Sequence, residues 1–435
     1  MQNQYPIIKH VSASQSSDTN YTGSLIISVL SSVGFLPVSN ARITLTFTGD
    51  PALAGQTYTT DSSGQTVPIS LPAPNLSLSL SPNQPQPYSE ITLRVEAPGY
   101  NPADVSGIQI LPGETALLAV RLQPLFLPEN GAAGSYRSDY VIPAHTLYGQ
   151  YPEKLPEEEI KPLPDSGEII LSQVVIPEYV IVHDGVPSDS SAPNYYVRYK
   201  DYIKNVACNE IYSTWPEAAL YANILAIMSV TLNRVYTEWY RAKGYPFTIT
   251  SSTAYDQKWV YGRNIYENIE TIVDNIFANY LSRPGVRQPI FTSFCDGRNT
   301  TCAGLNQWGS RYLADEGYSA IEILRYYFGN DLYINTAKQI SGVPSSYPGY
   351  DLTNGSTGEK VRQLQTQLNR IAQNYPAIPV LTVDGIYGPK TAGSVRIFQQ
   401  IFRLPQTGTA DYATWYKISE IYTAVSRISE PGAVY

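Results

Sequence analysis

The chain has 435 residues, 43% of them hydrophobic and 15% charged, with a formal net charge of −8. That is apolar sequence enough for several cores and too much for one ordinary domain, so about three domains are expected. The low charge content and acidic balance argue against a nucleic-acid partner, which needs clustered Lys and Arg, but not against a neutral sugar polymer.

Tyrosine dominates the aromatic residues, 36 Tyr beside 10 Phe and 5 Trp. A hydroxylated ring can stack on a sugar face and donate a hydrogen bond; it also simply fills strands and half-buried helices. Met1 to Asn20 is mostly polar, so no secretion signal and no usual export are expected. No run approaches the roughly 18 apolar residues of a membrane span, so no membrane partner is expected. Cys208, Cys295 and Cys302 are too few for a disulfide scaffold.

From about Thr22 to Gln123 the pattern has period two. Ile43, Leu45 and Phe47 alternate with Thr44, Thr46 and Thr48, and Ile91, Leu93 and Val95 with Thr92, Arg94 and Glu96. Asp61-Ser62-Ser63-Gly64, Pro98-Gly99 and Pro112-Gly113 read as turns. An all-β sandwich is expected over 1–123. Glu96 to Tyr100 followed by Pro112-Gly113-Glu114-Thr115 resembles carboxypeptidase regulatory-like domains.

Residues 124–191 are rich in Pro and acids, as in Pro152-Glu153-Lys154-Leu155-Pro156-Glu157-Glu158-Glu159, and read as an extended linker able to wrap a neighbour. His145 and His183 lie here, with His10 the chain's other histidine, so no histidine metal site is expected.

Residues 192–340 form a mainly helical α+β unit. In Asp201 to Ile211, the residues Ile203, Val206, Ala207 and Glu210 sit at i, i+3, i+4 and i+7, which places an acid on an apolar helix face. Burial there disfavours the carboxylate and raises its pKa, as a general acid requires; a salt-bridged or helix-end Glu fits the same pattern. Thr214-Trp215-Pro216-Glu217 has the form of a capping box that opens the next helix. Asn223 and Asn233 on that helix are expected to face solvent, with a place facing a cleft as the alternative.

Tyr202-Ile203-Lys204-Asn205-Val206, Glu210, and Trp215-Pro216-Glu217-Ala218-Ala219-Leu220 together resemble the stage II sporulation protein D family. Gly304-Leu305-Asn306-Gln307-Trp308-Gly309-Ser310, followed by Ala314, Gly317, Ile323-Leu324 and Tyr326-Tyr327, resembles a second motif of that family. The resemblance implies a lytic transglycosylase with Glu210 as its catalytic acid/base. It also places Asp256, Gln257, Tyr261, Gln307 and Trp308 as candidate sugar contacts. Members that bind zinc near Asp256 do so through Cys and His, which that segment lacks here, so neither a metal nor another cofactor is expected.

Cys295 and Cys302 are close enough in sequence to close a disulfide; two free thiols, or half of a metal site, are the alternatives. Cys208 lies two residues before Glu210 with no nearby His, which argues against a thiol nucleophile.

Residues 341–435 read as a small three-helix domain behind a Gly- and Pro-containing linker. Gly358 to Leu368, Asp384-Gly385-Ile386-Tyr387-Gly388-Pro389-Lys390-Thr391, and then Phe398, Gly408 and Trp415 resemble the peptidoglycan-binding type 1 domain. That implies binding residues among Asp384, Tyr387, Thr391, Phe398, Gln399 and Trp415. A three-helix bundle without a ligand is the plain alternative.

The whole order of units resembles the spore cortex-lytic enzymes of anaerobic spore formers, a family stored in the spore as inactive precursors and activated by proteolysis, which implies that the β domain belongs to the pro-region. The resemblance implies spore cortex peptidoglycan as substrate. It also implies a subtilisin-like germination protease as partner, cutting within Glu168 to Val175, near Ile169-Ile170. The family's amidase activity finds no histidine set or Cys/His pair here. A non-catalytic wall-binding protein and a hydrolase using Asp256 or Asp296 as second carboxylate are the rival expectations.

Overall fold

The computed structural model describes residues 21–49, 55–125, 138–162 and 173–426, and the backbone of 433–434. The period-two segments form β1 (Thr22–Ser31), β2 (Arg42–Phe47), β3 (Gln56–Thr59), β4 (Ile69–Pro72), β5 (Ser89–Glu96), β6 (Ala103–Ile110) and β7 (Thr115–Leu122). One sheet runs β3-β2-β5-β6 and another β7-β1-β4. Ile43 and Leu45 pair with Val95 and Leu93, and their side chains join Leu25, Ile27 and Val29 in one core. The Asp61 carboxylate accepts from the N–H groups of Ser63 and Gln65, which lets Gly64 turn at φ +72°.

The acidic segment after the sandwich is ordered where it is described. β8 (Asp139–Val141) adds in parallel to the β6 edge. The chain then crosses the helical unit as a strap over residues 142–162. Glu168, Ile169 and Ile170 of the expected processing region lie outside the described residues. Val175 belongs to β9 (Val175–Ile176), which leads to the hairpin β10 (Tyr179–His183) and β11 (Asn194–Arg198). The Ala433–Val434 backbone pairs in parallel with β11.

Helices α1 (Tyr199–Glu210) and α2 (Glu217–Tyr236) form the heart of the central unit, followed by β12 (Ile249–Thr250), β13 (Ile265–Tyr266) and α3 (Glu267–Ile276). β13 pairs with β7, so the central unit supplies an edge strand to the sandwich. By length and composition α2 is apolar enough to cross a bilayer, contrary to the sequence reading. It is instead a core helix, and 83% of its most apolar window is buried.

The expected capping box does not form. Pro216 is the N-cap and makes no side-chain cap bond. Thr214 donates instead to Ser79 Oγ at 2.8 Å, and Trp215 Nε1 to the Ser79 carbonyl at 2.9 Å. Contact with the sandwich has outcompeted the local motif. Asn223 and Asn233 are also buried rather than solvated. They donate at 2.8 Å to Ser310 Oγ and to the Pro289 carbonyl, respectively.

β14 (Asn279–Ser282), β15 (Phe294–Cys295), β16 (Leu305–Asn306), α4 (Gln307–Asp315), α5 (Ala320–Phe328), β17 (Tyr333–Thr336) and β18 (Gln339–Ile340) complete the central unit. The tail holds α6 (Glu359–Ala372), α7 (Pro389–Ile401) and α8 (Tyr412–Ser426), with Val361, Leu364, Leu368, Val395 and Phe398 buried as the apolar stripes require.

The tail is docked against the central unit, not merely tethered. Lys204 of α1 meets Glu270 at 3.1 Å and Asp274 at 3.0 Å on α3, Lys200 meets Glu420 of α8 at 2.6 Å, and Lys417 of α8 meets Glu270 at 3.4 Å. All these side chains are largely shielded from water, so each charge depends on its partners. Although burial opposes it, the Lys200 and Lys417 ammoniums hold the Glu420 carboxyl down at about 2.

Candidate active site

Glu210 is the last residue of α1, and Ile211 beyond it turns to extended backbone. Its neighbours on the expected stripe, Ile203, Val206 and Ala207, are fully buried, but so is nearly every residue of this helix. What distinguishes Glu210 is its place at the helix end, where the carboxylate, only 5% exposed, lines a cleft.

The opposing walls come from distant parts of the chain. Phe294 to Asp296, Asn299 and Thr300 form one side, Thr253 and Asp256 another, and Thr146, Tyr151, Pro152 and Lys154 of the strap a third. With these walls in place the cleft leaves about 50 Å³ of space accessible to water, well below small-ligand sites of about 300–1,000 Å³.

The Lys258 N–H donates to Glu210 Oε1 at 2.7 Å. Gln307 Nε2 donates to Glu210 Oε2 at 3.3 Å and to the Glu210 carbonyl at 3.0 Å, and Thr146 Oγ1 lies 3.4 Å from Oε2. Burial raises the Glu210 pKa above the ordinary carboxyl value. The Lys258 N–H, the Lys154 ammonium, and the Gln307 and Thr146 donors oppose that rise without cancelling it. The negative end of the α1 dipole acts with burial to favour the proton. A carboxyl so placed can deliver a proton and take one back.

Gln307 is held by the turn that precedes it. β15 and β16 pair in parallel, and the Asn306 side chain caps α4 by accepting from the Gly309 N–H at 2.7 Å. A Cβ on Gly304 would sit 1.9 Å from the Ser293 carbonyl oxygen, and one on Gly309 would sit 2.1 Å from the Tyr327 hydroxyl. Gly304 is thus required by close approach to backbone, whereas at Gly309 the Tyr327 side chain would have to shift.

The other expected sugar contacts are placed variously. Asp256 borders the cleft but is fully buried and committed. Its carboxylate takes bonds from Arg234 Nε at 2.6 Å, the Tyr240 hydroxyl at 2.8 Å, and the Thr250 N–H and hydroxyl at 2.9 and 2.6 Å. Gln257 is sealed inside, donating to Thr231 at 2.7 Å. Tyr261 packs edge-on against Tyr140, and Trp308 packs on Trp215; neither lines the cleft. Asp296 borders it and accepts from the N–H groups of Arg298, Asn299 and Thr300 and the Thr300 hydroxyl. Against its partial burial, these donors hold its carboxyl below the usual range.

Cys295 and Cys302 form a disulfide that closes the loop carrying Asp296, Asn299 and Thr300. Cys208 is a buried free thiol, pushed up to about 12 chiefly by burial, and its Sγ accepts from the Tyr266 N–H. Each described histidine ring bonds protein groups, His145 the Ile211 carbonyl and His183 Asn194.

The strap residues were missed by sequence reasoning. Lys154 Nζ donates to the Asp256 carbonyl and lies 4.3 Å from the centre of the Phe294 ring. Burial pushes its amine down to about 8, while the Glu210 and Asp256 carboxylates pull it up. No local pattern marks Thr146, Tyr151 or Lys154, because their meeting with Glu210 spans more than fifty residues.

In the tail, Tyr387, Thr391, Phe398, Gln399 and Trp415 are framework. The Tyr387 hydroxyl donates to the Gly408 carbonyl, Gln399 ties the 407–409 turn to Thr414, and Trp415 Nε1 reaches the Ser345 carbonyl. Of the residues singled out there, Asp384 is exposed; beside it Val380, Val383 and Ile386 present apolar surface that the sequence did not flag.

Residues 357–418 match the peptidoglycan binding domain family (PG_binding_1). The zinc D-Ala-D-Ala carboxypeptidase of Streptomyces albus G is 42% identical over 71 residues, which is 16% of this chain and 26% of that protein. The chain therefore spans about a quarter of that relative's length. Together these matches support a cell-wall-associated protein.

Among solved structures, 5-hydroxyisourate hydrolase of Klebsiella pneumoniae is 15% identical, covering 23% of this chain and 90% of its own, with a TM-score of 0.16. Sparus aurata transthyretin is 19% identical, covering 23% and 88%, with a TM-score of 0.16. The minor pilin GBS52 of Streptococcus agalactiae is 15% identical, covering 25% and 47%, with a TM-score of 0.18. At these scores the likenesses carry no argument.

Proposed function

We propose that the protein is a peptidoglycan lytic transglycosylase with Glu210 as its single acid/base. The observation that carries this reading is one carboxyl, shielded from water and raised in pKa, lining a cleft in which the neighbouring Asp256 and Asp296 are spent on internal hydrogen bonds. Hydrolytic glycosidases ordinarily need two working carboxyls. A transglycosylase needs one.

Glu210 protonates the oxygen leaving C1 of the muramic residue. Its carboxylate then takes the proton of the same sugar's C6 hydroxyl as that oxygen attacks C1. The nucleophile belongs to the substrate, so its effective concentration is already high. The product carries a 1,6-anhydro ring, and no water is consumed. The tail module, with the family match over 357–418, would hold the wall polymer and raise its local concentration.

The finer reading is a spore cortex enzyme made as a precursor and activated when a germination protease cuts it within Glu168 to Val175, near Ile169-Ile170. Its support is the order of sequence motifs, together with a strap that lies along the cleft on the N-terminal side of the expected cut. Mass spectrometry of peptidoglycan fragments tests the chemistry. Anhydro ends support the transglycosylase, reducing ends a hydrolase, and no fragments a binding protein.

A further inference from the structure

Beside α1 runs a segment, residues 257–260, that belongs to no helix or strand. Gln257, Trp259 and Val260 are buried, so the backbone groups of this segment need partners within the protein. Asn205 of α1, itself only 7% exposed, supplies them at Val260. Its Nδ2 donates to the Val260 carbonyl at 2.7 Å, and its Oδ1 accepts from the Val260 N–H at 2.9 Å. That two-way exchange is what a residue of a neighbouring strand offers in an antiparallel ladder.

The Asn205 amide is itself held. Asn209 Nδ2, one helical turn on, donates to Asn205 Oδ1 at 3.0 Å and to the Asn205 carbonyl at 2.9 Å. In an extended chain alternate N–H groups point to one side. The Val260 N–H meets Asn205, and two residues earlier the Lys258 N–H meets Glu210 Oε1 at 2.7 Å. Two side chains of α1 thus take successive same-side N–H groups, as one strand takes those of another. A slip of one residue would turn the Lys258 N–H away from the carboxylate.

We infer that Asn205 is a positioning residue for the proposed acid: standing in for a strand partner, its amide fixes the register of 257–260 and so aims the Lys258 N–H at Glu210. Asn205 acts only through Lys258 and touches no reacting atom. The inference rests on the reading of Glu210 as the catalytic acid.

Of the donors that oppose the effect of burial on Glu210, the Lys258 N–H is the strongest. The Lys154 and Lys258 ammoniums and the Tyr202 hydroxyl also face this carboxyl, and Asp256 and Asp296 border the same cleft. None of these side chains is bonded to Asn205, so a change there leaves their charges in place.

The test is Asn205→Leu in the full chain, read by NMR titration of the Glu210 carboxyl, whose signal is assigned by its loss in Glu210→Gln. The titration should move upward, because the ionised form loses a donor. In peptidoglycan cleavage kcat should fall about tenfold or more while KM changes by less than about twofold. Asn205→Ser, too short to reach both Val260 groups, should act in the same direction and covers the case in which the first variant folds poorly. Lys204→Met is the control, since the neighbouring ammonium pairs with Glu270 and Asp274 instead; it should leave the Glu210 titration in place.

A titration that stays put in both Asn205 variants would overturn the inference. One that moves equally in Lys204→Met would reduce Asn205 to a structural residue. Should the titration move only in the Asn205 variants while no form cleaves peptidoglycan, the positioning role stands and the catalytic reading of Glu210 fails.

Discussion

Gln307 Nε2 bonds both the backbone carbonyl and the carboxylate of Glu210, at 3.0 and 3.3 Å, so one amide fixes the end of α1 and the orientation of its acid. Gln307 stands first in α4, and its own position is set by the Asn306 cap and the glycine-dependent turn. Removing this amide frees the carboxyl to rotate, and small misplacements of a reacting group cost heavily in rate. Gln307→Leu should lower kcat by about ten- to a hundredfold with a smaller change in KM. It also removes a donor that favours the ionised form, so the alkaline limb of the pH–rate profile should move upward. A loss of rate with an unmoved limb would make Gln307 merely structural.

The raised pKa of Glu210 carries a stability consequence. The folded state holds this proton more tightly than the unfolded chain, whose carboxyl titrates near 4.5. Stability associated with Glu210 is therefore fully present below about 4.5 and is lost as pH rises through the folded value. Glu210→Gln keeps the shape and removes the charge, so it should raise Tm at neutral pH and leave it nearly unchanged at pH 4. Thermal melts of the two proteins across that window check this.

Lys204 neutralises Glu270 and Asp274 at the junction of α1, α3 and the tail. Lys204→Met keeps the stem and deletes the charge, leaving two buried acids short of a partner. The expected loss is about 3–5 kcal/mol in denaturant unfolding. The same protein should lose protection from hydrogen exchange along α8, because Lys417 and Glu420 share this cluster.

The Cys295–Cys302 disulfide closes the loop that presents Asn299 and Thr300 to the cleft. Cys302→Ser should cost about 2 kcal/mol, since a short loop gains less from closure than a long one. Catalysis should fall with it as this wall loosens, and mild reductant should reproduce the loss in the native protein but not in the variant.

The sandwich was legible because alternation over β2 and β5 states which side chains face inward. The three helices of the tail were legible because Val361, Leu364 and Leu368 repeat at helical spacing. Glu210 was legible as an acid among apolar neighbours, yet its cleft was not. Thr146 and Lys154 reach it from a segment whose Pro and acid content signals only an extended chain.

Local rules failed where tertiary partners were stronger. Thr214 has the sequence of a cap, but Ser79 takes its hydroxyl. Asn223 and Asn233 look solvent-facing on a helix, but neighbouring loops supply their partners. Gln257 and Trp308 sit in motif positions because the core needs them, one bonded to Thr231 and the other packed on Trp215.

The central claim is that one shielded proton donor at the end of α1 serves both the departing sugar and the incoming C6 hydroxyl. The most direct measurement is mass spectrometry of peptidoglycan digested by the protein, beside the same protein carrying Glu210→Gln. The account predicts 1,6-anhydro ends from the first and no fragments from the second. Reducing ends, or undiminished cleavage by Glu210→Gln, would contradict it.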